Sequence, residues 1–148
     1  MTIRALSATI GKGLVAGVAG TAAMTVSSTL EAKLRGREFS TAPAKAVQKL
    51  LGIKEFTSPA AEARFSTLVH WSYVTGWGVA RAVLGRMLGP KAADAAHFGA
   101  IWGSALVMLP ALDVTPPAWR WGKEEVAIDV LHHAVYVATT GIAYELLD

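Results

Sequence analysis

Four long apolar stretches separated by short polar ones organise the chain, and the residues between them are those that start and stop helices. Residues 13–30, GLVAGVAGTAAMTVSSTL, hold no charge, with Arg4 and Lys12 before them and Glu31 after. Long basic side chains at such an end reach back to water, so a first span is predicted over residues 9–31. The second stretch opens at Ser58-Pro59, an N-cap followed by proline at the first helical position, and runs to Gly89-Pro90. Roughly thirty helical residues at about 1.5 Å each cover about 45 Å, which exceeds a hydrocarbon core of about 30 Å. A span over 63–87 therefore protrudes at one end. The third, AAHFGAIWGSALVMLPAL, predicts a span over 93–112, closed by Pro110 and the turn from Asp113 to Pro117. The fourth, 124–146, carries Glu124 and Glu125 in its first turn, where the helix dipole favours acids.

Between the first two spans lies TAPAKAVQKLLG, with Thr41 as N-cap, Pro43 early and Gly52 as stop. Ala44, Val47, Leu50 and Leu51 share one face while Lys45 and Lys49 share another, the pattern of a short helix lying on a membrane surface. A helix covering part of a soluble core would read similarly. No sustained two-residue alternation suggests strands. The expected fold is all-α, a single domain over 1–148: a four-transmembrane-helix bundle with a short amphipathic interfacial helix between helices 1 and 2.

Composition strengthens the membrane reading. The 148 residues are 53% hydrophobic and 17% charged, with mean hydropathy +0.39, where soluble domains run near about 25% charged. The uncharged runs fall short of the roughly twenty residues of a full span, so a soluble four-helix bundle is the competing architecture. Trp71, Trp77, Trp102, Trp119 and Trp121 weigh against it, the last two in a boundary loop where interfacial anchors belong. So do Gly13/Gly17, Gly85/Gly89 and Gly99/Gly103, spaced as in helices that approach closely in lipid. In water each such glycine would cost its helix up to about 1 kcal/mol.

The net charge of +3 is local, since Lys33, Arg35, Arg37, Lys45, Lys49, Lys54 and Arg64 form one basic stretch. It lacks the interleaved aromatics of a nucleic-acid surface and suits anionic headgroups instead. Assigning the more basic loops to the cytoplasm turns both termini outward. Without cysteine there is no disulfide, thiolate metal site, iron-sulfur cluster or cysteine nucleophile. No Walker loop, dinucleotide-binding glycine motif or Gly-x-Ser-x-Gly elbow occurs, and Ser27, Ser28, Thr139 and Thr140 have no evident base. An enzyme is not expected.

Ionisable groups inside spans are functional candidates because burying them is costly. These are Glu31, His70, Arg81, His97, Asp129, His132 and His133. Antiparallel packing puts the end of helix 1 level with the early thirds of the second and fourth spans. Glu31, His70, Asp129, His132 and His133 then form a candidate proton or ion site, with Asp129 and His133 on one helical face. Glu31, His70, Asp129 and His133 are also candidate divalent-metal ligands, and paired imidazoles would suit a b-type haem, although no His-Glu-x-x-His or paired Glu-x-x-His motif is present. The plainest alternative is an inert hydrogen-bonded tie. His97, beside Asp94 at the opposite level, reads as an interfacial polar residue, and Arg81 as a side chain that snorkels or pairs with an acid.

The glycine-rich helix GLVAGVAGTAAM with Glu31 and a basic exit, the helix carrying His70, the proline-ended third helix with Thr115-Pro116-Pro117, and Asp129-x-x-x-His133 together resemble the YagU-like bacterial inner-membrane proteins. Asp129 stands where that pattern has Glu, and the first loop is shorter. The resemblance implies a multi-pass protein of the bacterial cytoplasmic membrane associated with acid resistance. The functional expectation is proton or ion handling, or a pH response, through the buried Glu/His/Asp cluster. The alternatives are a non-catalytic accessory or structural subunit of a larger membrane complex, and a metal- or haem-binding bundle. Expected partners are the lipid bilayer and either a second copy of the chain or a membrane-complex partner, with no nucleic acid.

Overall fold

The computed structural model describes residues 2–148. They form five α-helices and no strand: α1 (Ile3–Arg35), α2 (Ala42–Leu50), α3 (Pro59–Leu88), α4 (Pro90–Ala111) and α5 (Lys123–Leu147). A single 3-10 turn, Ala118–Arg120, precedes α5.

Local chemistry explains the boundaries. The Thr2 and Ser58 side chains accept hydrogen bonds from the Ala5 and Ala61 amides and cap α1 and α3. Thr41 stands at the start of α2 without a side-chain cap bond, so the proline in its first turn sets that start. Gly89 separates α3 from α4 with no loop between them. Its φ of 74° is open to glycine, and Pro90 can begin a helix but cannot continue one.

The four long helices form a ring in which α1 packs on α3 and α5, and α4 closes the opposite side against the same two. Contacts from Gly13 to Ala82 and from Gly20 to Tyr136 run α1 antiparallel to both neighbours. Helix α2 lies on α3 and buries Ala44 and Ala46.

Glycine makes the α1–α3 seam. A Cβ on Gly78 would stand 2.2 Å from the Gly13 carbonyl oxygen and 2.6 Å from the Gly17 Cα, so the two backbones touch directly. On its other side α1 uses Gly20 to admit Tyr136 and Thr140 of α5. The glycine spacings on α3 and α4 do not act this way. Gly89, Gly99 and Gly103 have no neighbour within 4 Å of a built Cβ, and Gly85 meets only the Arg81 side chain and, further off, Tyr144. Spacing marks a small face without saying which partner it turns to.

The apolar core is thin: Val74, Ile101, Tyr136 and Val137 form one cluster and Ala16, Ala82 and Tyr144 another. Much of the large apolar surface points outward instead, including Val15, Val18, Val26 and Leu30 on α1, Val107 on α4, and Leu131 and Ile142 on α5. Three helices, α1, α4 and α5, are long and apolar enough to cross a membrane, and only 28%, 17% and 28% of their apolar windows are buried inside the bundle. A soluble monomer rarely exposes an apolar patch beyond a few hundred Å², whereas lipid accepts such a surface. This is an all-helical membrane protein. Helix α3 is outside that set, its sequence being interrupted by Glu62, Arg64, His70, Arg81 and Arg86.

Candidate functional site

Polar side chains occupy the inside of the ring at both ends and in the middle. At the α1 exit, Glu31 accepts from Arg35 (3.2 Å) and from the Arg37 Nε (2.9 Å), and its second oxygen is bonded by Arg37 Nη2. Arg37 lies beyond the helix and reaches back because Gly36 takes the left-handed conformation that turns the chain. The adjacent Glu31 carboxylate raises the Arg37 pKa, fixing its charge. Arg35 also bonds Glu125 at 2.7 Å, tying α1 to the first turn of α5. Behind this network, buried His132 shares a hydrogen bond with Ser27 through Nδ1 (2.9 Å), and its Nε2 lies 3.6 Å from Glu31 without a hydrogen bond.

The remaining sequence candidates divide. His70 Nε2 shares a hydrogen bond with Thr25 (3.1 Å) on α1. The Asp129 carboxylate accepts from Trp102 Nε1 at 2.8 Å, while His133 donates from Nδ1 to the Asp129 backbone carbonyl (2.8 Å), 3.7 Å from the carboxylate. Glu31 therefore meets His132, Asp129 meets His133, and His70 meets a threonine. Of the centre of Glu31, His70, Asp129 and His133 expected from the sequence, the structure brings Asp129 and His133 into direct contact and gives Glu31 and His70 other partners. Successive helical residues point about 100° apart, so His132 faces α1 while His133, one turn beyond Asp129, faces the α4 side. Among the described residues no three His, Asp or Glu side chains are grouped to hold a metal ion.

Two residues set aside in the sequence reading take the interior. His97 was expected at an interface and is instead 0% exposed, with ring centroids 6.4 Å from Trp77 and 5.5 Å from Tyr136. Neither ring nitrogen reaches a partner at full hydrogen-bond geometry, and the Trp77 backbone makes only a weak polar contact with the ring. The available signal was its four-residue spacing from Ala93 and Ile101, the inward stripe of α4. Arg81, 1% exposed, does pair with acids: Nε donates to Asp94, Nη2 lies 3.5 Å from Glu145, and the guanidinium stands 5.4 Å over the Tyr144 ring. Lys12 bonds Asp148 at 3.0 Å at the same end and holds that carboxyl below its ordinary pKa. Between the two ends lie the Thr21–Thr75 hydroxyl pair (3.1 Å) and Tyr136, whose hydroxyl donates to the Val74 carbonyl at 2.7 Å.

The bundle thus defines a helical membrane protein with ion-paired ends and imidazoles and hydroxyls between them. Comparison with family models, with curated proteins and with solved structures finds no match.

Proposed function

We propose that this chain is a small four-span protein of the bacterial cytoplasmic membrane that handles protons or ions, or responds to pH, through the polar interior of its bundle. The observation that carries this reading is His97, sealed at the centre with no side-chain partner on either ring nitrogen and only a weak polar contact to the Trp77 backbone. A buried polar group normally has a partner, because going without one costs about 1–3 kcal/mol. A neutral imidazole carries a proton on one ring nitrogen and a lone pair on the other, so it can take a proton on one side and release it on the other. Arg81 and Asp94 lie toward one end of the bundle from it, and His70, His132 and Glu31 lie toward the other.

Helix α3 serves as the fourth span. It packs between α1 and α4, turns Arg81 inward, and presents Leu68, Val83 and Met87 outward. Helix α2 suits an interfacial position, with Ala44 and Ala46 buried and Lys45 exposed. The YagU-like resemblance and its link to acid resistance agree with a pH-responsive role, and the basic residues of the α1–α3 and α4–α5 loops favour both termini outward.

Proton flux into vesicles tests the proposal. Full-length protein in liposomes with an internal pH dye and an imposed potassium potential should acidify faster than empty vesicles, and His97→Phe should abolish the excess. Wild-type flux equal to that of empty vesicles, with no histidine titrating between pH 5 and 8 by NMR, would refute it. One observation favours a second reading, a non-catalytic accessory subunit of a larger membrane complex: a Cβ built on Gly99 or Gly103 would meet nothing within 4 Å. A stoichiometric partner in every native-lipid preparation would support that reading.

A further inference from the structure

One face of α3 is covered along only part of its length. Thr75, Gly78 and Ala82 lie on it and pack against Thr21, Gly17 and Gly13 of α1. Toward the start of the helix the same face continues through Trp71, Leu68, Thr67 and Arg64, because steps of three, four and seven residues return to one side. There α1 has moved off it. Its contact is with His70 through Thr25, and His70 points about 100° away from Trp71. The bare length is a groove of about 460 Å³ lined by Ala63, Arg64, Thr67, Leu68 and Trp71. Arg64 stands six residues before His70 and Glu31 six after Thr25, so the antiparallel helices set them level, at the ion-paired end. Trp71, seven residues further along α3, is about 10 Å deeper. Between them Leu68 is 67% exposed, and Thr67 donates its hydroxyl to the Ala63 carbonyl (3.0 Å), which leaves the floor apolar.

We propose that this groove holds one anionic phospholipid, its phosphate on Arg64 and an acyl chain along Leu68 and Trp71. A cation at the surface followed by about 10 Å of apolar wall matches the order of groups in a phospholipid entering the bilayer, and tryptophan suits the boundary between headgroup and chain. The charge at the mouth is free to act. Among the described residues Arg35 and Arg37 hold Glu31, Glu124 and Glu125 in ion pairs in which Arg64 takes no part. Glu62, two residues from Arg64, points to the opposite side of the helix. A second copy docked symmetrically in the groove would set two Arg64 guanidiniums against each other, whereas a phosphate supplies a countercharge. Such a site needs only the membrane setting of the bundle and is independent of proton handling.

Trp71 reports the occupant. Full-length protein is placed in vesicles of phosphatidylcholine and phosphatidylglycerol at equal mole fraction, with bromine carried on the acyl chains of one lipid or the other. The Trp71 share of the fluorescence is the difference between the wild type and Trp71→Phe. Brominated phosphatidylglycerol should quench that share as if enriched about fivefold over the bulk bilayer, as for one basic group at a membrane surface. Arg64→Gln, an exposed change between good helix formers, should bring the two lipids to equal quenching with unchanged circular dichroism. High salt should narrow the difference in the wild type, since an exposed charge is screened. Equal quenching by both lipids in the wild type would overturn the assignment, and so would a preference that survives Arg64→Gln. A Trp71 share that neither lipid quenches would also overturn it, because the groove would then be covered by protein.

Discussion

The α1–α3 seam yields the sharpest prediction, Gly78→Ala. The added methyl would stand 2.2 Å from the Gly13 carbonyl oxygen, 2.6 Å from the Gly17 Cα and 2.7 Å from the Gly17 nitrogen. Carbon–oxygen contacts across helices settle near about 3.3–3.6 Å, so the two helices must separate by about 1 Å. All three atoms are backbone, and no side-chain rotation relieves the clash. Overpacking of this kind costs about 1–3 kcal/mol. Against it stands the intrinsic preference for alanine over glycine inside a helix, up to about 1 kcal/mol. Steric cost wins, because separation also loosens the packing along the seam beside Gly17 and Ala82. A net loss of about 1–2 kcal/mol is expected. Gly76→Ala, two residues away on the same helix, is the control. Its Cβ meets nothing within 4 Å, so only the propensity term remains and stability should hold or rise. Unfolding of both variants by sodium dodecyl sulfate from mixed micelles, followed by far-ultraviolet circular dichroism, measures the difference. Gly78→Ala as stable as Gly76→Ala would refute direct backbone contact between α1 and α3.

Two further outcomes follow from the ion pairs. Asp94→Asn keeps an acceptor oxygen for the Arg81 Nε but leaves Glu145 as the only countercharge to the buried guanidinium, and should destabilise the bundle by about 3 kcal/mol; Arg81→Met removes the charge itself and should cost less, as the same unfolding titration will read. The Asp148 carboxyl, held below its ordinary value by Lys12, stabilises the folded chain above the unfolded carboxylate pKa and loses that contribution as pH falls through the folded value. Lys12→Met should therefore flatten the acid limb of stability against pH below about pH 4, where carboxylates titrate, while leaving the neutral region's slope unchanged.

The sequence by itself determined the helices, because their signals are local. Ser58-Pro59, Gly89-Pro90 and the proline-rich turn after α4 act through backbone conformation at the residue where they stand. Length then forces antiparallel neighbours, and α1 accordingly meets His70 through Thr25 and His132 through Ser27 and Glu31. What the sequence left open is rotation about each helix axis. In lipid both the inward and the outward faces are apolar, so the hydrophobic stripe that orients a soluble helix is faint. Only the packed structure decided that Gly13, Gly17 and Gly78 form the seam while Gly99 and Gly103 do not. The same rotations sent His132 and His133 to different neighbours and turned His97 into the centre. Arg81 is the clearest case. Its charge argued for snorkelling or for pairing with an acid, and only the fold showed which acids: Asp94 of α4 and Glu145 of α5 converge on it and let it stay buried.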